Sequence, residues 1–235
     1  MNEETNLQIP TQPPLVIADV SRCPSSIVYN EDCVQGLKRF ADKHFDLAIV
    51  DPPYGINIAK WDKIDNRPKK EYWNELFRVS KNQIVWGGNY FNLPTQREWI
   101  CWDKSIVKAG YLGKREFDEF ELAWTSFGGK SKMIRFSDIG CMSGFDGKIK
   151  INYSFKGKIH PTQKHINLYD WIFNNYSAKG DLILDTHLGS GSSRIAAYKN
   201  GFDFVGFEID KDYYEAQEKR FKNFSAQQRL FWGCG

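Results

Sequence analysis

The feature that most limits what this chain can fold into lies in its last third. Asp181-Leu182-Ile183-Leu184 is a short apolar strand, and Asp185-Thr186-His187-Leu188-Gly189-Ser190-Gly191-Ser192-Ser193 follows as a glycine-bearing loop that opens a helix from Ser193 to Lys199. Asn200-Gly201 ends that helix, Phe204 to Phe207 is a second strand, and Glu208 sits at its end. Strand, Gly-x-Gly loop, helix, strand and terminal acid within about thirty residues make a βαβ unit, which places the chain in the α/β class. The glycines let a nucleotide approach the backbone closely, and the acid is placed to pair with ribose hydroxyls. His187 reads as a loop residue rather than a catalytic base.

A second strand end carries different chemistry. The apolar, partly β-branched strand Phe45 to Val50 stops at Asp51-Pro52-Pro53-Tyr54, followed at once by Gly55. Two successive prolines fix two φ angles near −65° and remove two N–H donors, leaving the carbonyls of Asp51 and Pro52 as acceptors in a stiff segment. Asp51 adds a carboxylate and Tyr54 a flat amphipathic ring. Acceptors from two directions beside a stacking ring suit a planar amine such as the exocyclic NH2 of a nucleobase. The competing reading is a plain Pro-Pro turn, with Asp51 as a turn residue and Tyr54 as packing. In open α/β sheets the carboxyl edge of the strands is where ligands sit.

The remaining periodicity fills in the frame. Residues 1–25, with four prolines, read as an extended arm, and 26–235 as one domain. Ser26 to Tyr29 is expected as the first strand, leading through Asn30-Glu31-Asp32-Cys33 into a helix from Val34 to Ala41. Asp32 there either binds a ligand group or caps the helix. Asn57 to Lys70 reads as a mobile loop, Lys69 to Ser80 as a helix, and Gln83 to Trp86, Glu98 to Trp102 and Glu119 to Ser126 as strands. Residues 128–158 read as an inserted loop or a small target-reading element. His160-Pro161-Thr162-Gln163-Lys164 precedes a helix from His165 to Tyr176, and a last helix runs from Lys211 to Phe224.

Charge suggests a partner. The net charge is only +3, but lysine and arginine gather in four stretches in the middle of the chain, between 60 and 70, 104 and 115, 130 and 135, and 148 and 158. Aromatic residues are interleaved with them, a mixture that suits phosphate contacts beside stacking surfaces. Lys60, Lys63, Arg67, Lys104, Lys108, Lys130, Lys132 and Arg135 are the candidate nucleic-acid contacts. The five cysteines show no CxxC pairing, so free thiols and no metal site are expected. No apolar run is long enough to span a bilayer, and the polar N-terminus lacks an export signal, so a cytoplasmic setting is expected; a bacterial or phage origin is a separate expectation.

Together, Asp51-Pro52-Pro53-Tyr54, His-Pro-Thr-Gln-Lys and Asp-x-x-x-Gly-Ser-Gly resemble the amino-group DNA methyltransferases that use S-adenosyl-L-methionine, over about residues 26 to 222. The early tetrapeptide and late glycine loop resemble the circularly permuted β class. The resemblance implies a Rossmann-like methyltransferase fold, permuted, with a mixed, mostly parallel sheet. It implies that Asp51, Pro52, Pro53 and Tyr54 hold the target base, the first two through its amino group and Tyr54 by stacking. It further implies a cofactor site of Asp32, Cys33, Asp51, Pro161, Thr162, Gln163, Lys164, Asp185, Thr186, Gly189, Ser190, Gly191, Glu208 and Ile209. The family usually has Pro-Phe after the loop aspartate and Thr after the second glycine, where this chain has Thr186-His187 and Ser192. Aspartate at position 51 favours N6 of adenine, since the N4-cytosine enzymes more often carry serine there. Methylation of RNA or of a protein amide, and a binding protein that has lost catalysis, are the rival readings. Double-stranded DNA is the expected partner, homodimerisation a family-level expectation, and a short or relaxed target sequence follows from the shortness of 128–158.

Overall fold

The computed structural model describes residues 23–57, 59, 61–104, 118–135, 159–160 and 163–232, with side chains to 227. The strands are β1 (Ser26–Tyr29), β2 (Phe45–Val50), β3 (Ser80–Trp86), β4 (Trp99–Asp103), β5 (Phe120–Thr125), β6 (Lys132–Arg135), β7 (Leu182–Asp185) and β8 (Asp203–Phe207). The helices are α1 (Cys33–Leu37), α2 (Lys70–Val79), α3 (Ile166–Tyr176), α4 (Ser192–Lys199) and α5 (Lys211–Trp232). All eight strands join one sheet in the order β1-β8-β7-β2-β3-β5-β4-β6. Only β5 runs antiparallel to its neighbours, β3 and β4; the other pairings are parallel. The mixed, mostly parallel α/β sheet expected from the sequence is therefore present.

The order of connections positions the site. From β2 the chain passes through α2 to β3 on one side, and from β7 it passes through α4 to β8 on the other. Because β2 and β7 are neighbours, the connections diverge between them, and a crevice opens at their carboxyl ends. The loops that leave those two ends are the proline loop at Asp51 and the glycine loop at Asp185.

Alternation along the strands makes two cores, one on each face. Leu47, Ile49, Ile84 and Ile183 face Leu168, Ile172, Ala196 and Ala197 of α3 and α4. Ala48, Val50, Val85 and Leu184 face Leu37, Tyr72, Leu76 and Val79 of α1 and α2. Full burial of a branched aliphatic or aromatic side chain contributes about 1.5–3 kcal/mol, so these two layers hold the crevice rigid.

Four expectations need correcting. The first helix ends at Leu37, not Ala41, because the Arg78 guanidinium binds the carbonyls of Leu37 and Phe40 and supplies partners that a longer helix would have to provide itself. Strand β3 begins at Ser80, directly where α2 ends; its polar start, Ser80-Lys81-Asn82, pairs with β2 and hides the strand from an apolar reading. Part of the stretch read as an insertion is sheet, since Lys132–Arg135 pairs in parallel with β4; residues 136–158 lie outside the described set. The segment read as a mobile loop between 57 and 70 contains a 3-10 turn at Ile64–Asn66 and the fully buried Asp62, which ties it down.

The proposed arm at 1–25 falls outside the described residues except for 23–25. Cys33 and Cys101 are free thiols, whereas Cys23 is disulfide-bonded, which corrects the free-thiol expectation at that position. No described helix is long and apolar enough to cross a membrane.

Candidate active site

A cavity of about 770 Å³ opens at the carboxyl ends of β1, β2, β7 and β8, with Asp32, Asp51, His187, Gly189, Glu208 and Tyr213 in its wall. The proline loop and the glycine loop thus border one space.

On the proline loop both oxygens of the Asp51 carboxylate are engaged. The Tyr54 hydroxyl donates to Oδ1 at 2.6 Å, and the Lys164 ammonium donates to Oδ2 at 2.6 Å. Burial, and then the negative charge of Asp51, push the Tyr54 phenol well above its ordinary range, so it stays a donor. Each carboxylate oxygen keeps a further lone pair for an incoming N–H. The loop is closed from behind by Asp62, whose carboxylate accepts from Gly55 N at 2.7 Å and Ile56 N at 3.1 Å. Sequence reasoning missed Asp62, because a lone aspartate in an aperiodic charged stretch carries no pattern.

The Tyr54 ring is stacked on Tyr90, with centroids 4.9 Å apart and planes at 18°. A base that stacks on Tyr54 therefore uses its other face or displaces Tyr90. Gly87 meets the same ring: it holds φ at +63°, and a Cβ there would lie 2.2 Å from the Tyr54 Cε1. Gly87→Ala therefore combines left-handed backbone strain with displacement of Tyr54. Activity of this variant is expected to fall at least about tenfold, since misplacing a group by about 1 Å can cost 10²-fold; unchanged turnover would show that the position of Tyr54 does not matter.

On the glycine loop, Asp185 turns inward. Ser193 Oγ donates to its Oδ2 at 2.6 Å and His187 N to its Oδ1 at 3.0 Å. Burial pushes its carboxyl up to about 7 despite these two bonds. Glu208 accepts from Gly189 N at 2.7 Å and from Asp210 N at 2.9 Å, so the end of β8 is tied to the glycine loop. Burial raises its pKa as well. Gly191, with φ +71°, forms the N-cap of α4, and Ser190 is buried beneath it. Thr186 Oγ1 lies 2.8 Å from the Tyr72 hydroxyl and 2.9 Å from His187 Nδ1. Burial lowers the His187 pKa to about 4, so its imidazole is neutral at physiological pH.

Asp32 caps α1, its carboxylate accepting from Gln35 N at 3.0 Å, and it also lines the cavity. Burial, with Asp32 adding to it, pushes the Cys33 thiol up to about 12, so that residue is an inert part of the wall. Gln163 lines the cavity and accepts from Ile159 N at 3.2 Å. Ile209 is an exposed rim residue. Pro161 and Thr162 lie outside the described residues. Lys164 belongs to the same segment and lines the cavity, and its ammonium donates to Asp51.

The described candidate DNA contacts have different settings. Lys63 and Lys130 are exposed. Arg67 lies on the cavity wall, where its guanidinium donates to Tyr90 O. Lys132 places its ammonium 4.2 Å from the Tyr176 ring centroid, and Arg135 pairs with Asp103 at 2.6 Å. Lys104 is a correction: it is 5% exposed and its ammonium sits 2.8 Å from Glu121, so it is an interior charge. Lys60 and Lys108 lie outside the described residues.

Residues 95–219, more than half of the 235-residue chain, match the N6/N4 methyltransferase family model described as DNA methylase. This chain belongs to the N6/N4 DNA methylase family. The match takes in the glycine loop and Lys164 and begins after the proline loop, so the role of Asp51 rests on geometry. Among relatives of this methylase, the type II methyltransferase M2.MboI of Moraxella bovis is 23% identical over 83% of this chain and 86% of its own length. Among solved structures, M1.HpyAVI in complex with SAM superposes with a TM-score of 0.56 at 18% identity, covering 83% of this chain and 98% of that one. The cytosine-N4-specific PvuII DNA methyltransferase superposes with a TM-score of 0.56 at 15% identity, covering 88% and 93%. At these identities the superpositions establish the fold.

Proposed function

We propose that this methylase transfers the methyl group of S-adenosyl-L-methionine to the N6 amino group of adenine in double-stranded DNA. The observation that carries the reading is the shared cavity: an amine-accepting loop from β2 and a nucleotide-type glycine loop from the adjacent β7 border the same space. The order of the two loops along the chain supports the circularly permuted arrangement.

The cavity fits the donor. Its 770 Å³ lies within the range of small-molecule pockets, and the Glu208 carboxylate beside Gly189 is placed for ribose hydroxyls. When bound, S-adenosyl-L-methionine supplies an electrophilic methyl group on sulfur. The protein's part is to prepare the amine. An exocyclic nitrogen delocalises its lone pair into the base; acceptance of its two N–H bonds by the Asp51 carboxylate and the Pro52 carbonyl favours a pyramidal nitrogen whose pair is free to attack in line. These acceptors are fixed before reaction, so no strong general base is needed. With the donor sulfur leaving as a neutral thioether, the proton shed by the methylated nitrogen passes to the Asp51 carboxylate that already accepts it and on to solvent. Extrusion of the base costs a few kcal/mol, and stacking on Tyr54, worth about 1–3 kcal/mol, offsets part of it.

Aspartate rather than serine at position 51 supports adenine over cytosine. The test is the mass of modified nucleosides after duplex DNA is incubated with enzyme and cofactor. N6-methyladenine is the expected product; N4-methylcytosine alone would overturn the choice of base, and methylation of RNA in place of DNA would overturn the choice of polymer.

A further inference from the structure

The Asp51 carboxylate is the first member of a row of four alternating charges. Lys164 Nζ lies 2.6 Å from Asp51 Oδ2 and 3.0 Å from Glu121 Oε2, and Lys104 Nζ lies 2.8 Å from Glu121 Oε1. Four separate segments contribute: the loop after β2, the residues before α3, strand β5 and the end of β4. Both lysine side chains are only 6% exposed. Each ammonium also sits over an indole, Lys164 5.2 Å from the Trp86 ring and Lys104 5.5 Å from the Trp102 ring. The two indoles meet edge to face at 6.1 Å. Lys164 thus bridges the two carboxylates, Asp51 and Glu121.

We propose that Lys164 is a positioning residue for methyl transfer, and that Glu121 and Lys104 act through it to hold the Asp51 carboxylate at the angle the target amine requires. The inference rests on the function proposed above and adds residues that the acceptor tetrapeptide does not contain. With Tyr54 on one oxygen and Lys164 on the other, the carboxylate cannot rotate about its Cβ–Cγ bond, and its remaining lone pairs keep one direction. An ammonium this deep persists only with compensating charge. Burial by itself would lower the Lys164 pKa, but the carboxylates of Asp51 and Glu121 outweigh it and hold the amine above the ordinary lysine range. Burial would likewise raise the Glu121 pKa, but Lys164 and Lys104 bring it down to about 2. Removing the charge of Glu121 therefore lets Lys164 lose its proton at lower pH. Among the described residues, the charged and titratable groups about Lys164 are Asp51 and Glu121, with Tyr54 on the first, Lys104 on the second and His160 at longer range.

The test is single-turnover methyl transfer to duplex DNA, with separate equilibrium binding of S-adenosyl-L-methionine, for wild type, Lys164→Met, Lys164→Arg and Glu121→Gln. Lys164→Met is expected to slow transfer about 10²-fold, as loss of a preorganised electrostatic group does, while cofactor affinity changes less than about threefold, below the effect of one lost hydrogen bond. Lys164→Arg is expected to recover part of the rate. Glu121→Gln is expected to move the alkaline limb of the transfer-rate profile to lower pH, which a purely structural role would not do. A Lys164→Met enzyme as fast as wild type overturns the proposal. So does a parallel loss of cofactor binding, which would make Lys164 a cofactor ligand. If Lys164→Met does not fold, an unmoved alkaline limb in Glu121→Gln overturns it. A wild-type enzyme inert on DNA would instead defeat the proposed function itself.

Discussion

Asp51→Ala is expected to reduce methyl transfer at least about 10²–10³-fold, the loss found when a preorganised transition-state partner is removed. The alanine leaves the Pro52 carbonyl as the remaining acceptor on the loop, and one acceptor cannot fix both N–H bonds of the amine. It also leaves the Tyr54 hydroxyl and the Lys164 ammonium without their carboxylate. Breaking a buried charge pair from one side typically costs about 3–5 kcal/mol, so the variant's thermal unfolding has to be measured beside its activity. Asp51→Asn separates the two effects: it keeps the shape and one acceptor, and should unfold nearer to wild type while still transferring slowly. Equilibrium binding of S-adenosyl-L-methionine should survive in both variants if the folded state is intact, because Glu208 and the glycine loop stand on other strands. Retention of full transfer by Asp51→Ala would remove the proline loop from the mechanism.

The second large effect concerns stability against pH, and it comes from two neighbours with opposite signs. Asp185 has its pKa raised to about 7 by burial, against about 3.9 in an unfolded chain. Between those values the folded state keeps a proton that the unfolded state has released, so its contribution is fully present below pH 4 and is lost as pH rises to 7. His187 has its pKa lowered to about 4 by burial, against about 6.5 when unfolded. Its contribution is present above pH 6.5 and is lost as pH falls toward 4. At 1.36 kcal/mol per unit, Asp185 is worth about 4 kcal/mol and His187 about 3 kcal/mol across their windows, and in wild type they offset one another over most of that range. Asp185→Asn should therefore gain stability, relative to wild type, as pH rises from 4.5 to 6.5, and His187→Phe should lose it over the same range. Denaturant unfolding at several pH values measures this; variant curves parallel to wild type would mean that neither group titrates as its burial implies.

The sequence disclosed the parts of this molecule whose physics is local. Prolines and glycines act within a few residues, so the proline loop at Asp51 and the glycine loop before Ser193 were legible, as were the acids at the ends of β7 and β8. Parallel strands buried on both faces read as apolar runs, which is why β2 and β7 were found at nearly their full length. What stayed hidden depends on distant partners. Ser80-Lys81-Asn82 is a strand because β2 lies beside it, and Lys132–Arg135 because β4 does. Lys104 looks like a surface cation until Glu121 is seen beside it, and the Lys164–Asp51 pair joins residues 113 apart in the chain. Asp62 has no sequence signature, because the N–H groups of Gly55 and Ile56 that it binds are backbone groups that any residue could supply. The stacking of Tyr90 on Tyr54 likewise depends on the turn that Gly87 and Gly88 make after β3.

The central claim is that two loops on adjacent strands form one methyl-transfer site. Its most direct measurement is incorporation of label into duplex DNA from S-adenosyl-L-methionine carrying a labelled methyl group, with the purified 235-residue chain as the only protein. The site described here predicts label in the DNA, on the amino nitrogen of adenine. Cofactor that binds in the cavity while the DNA stays unlabelled would contradict it.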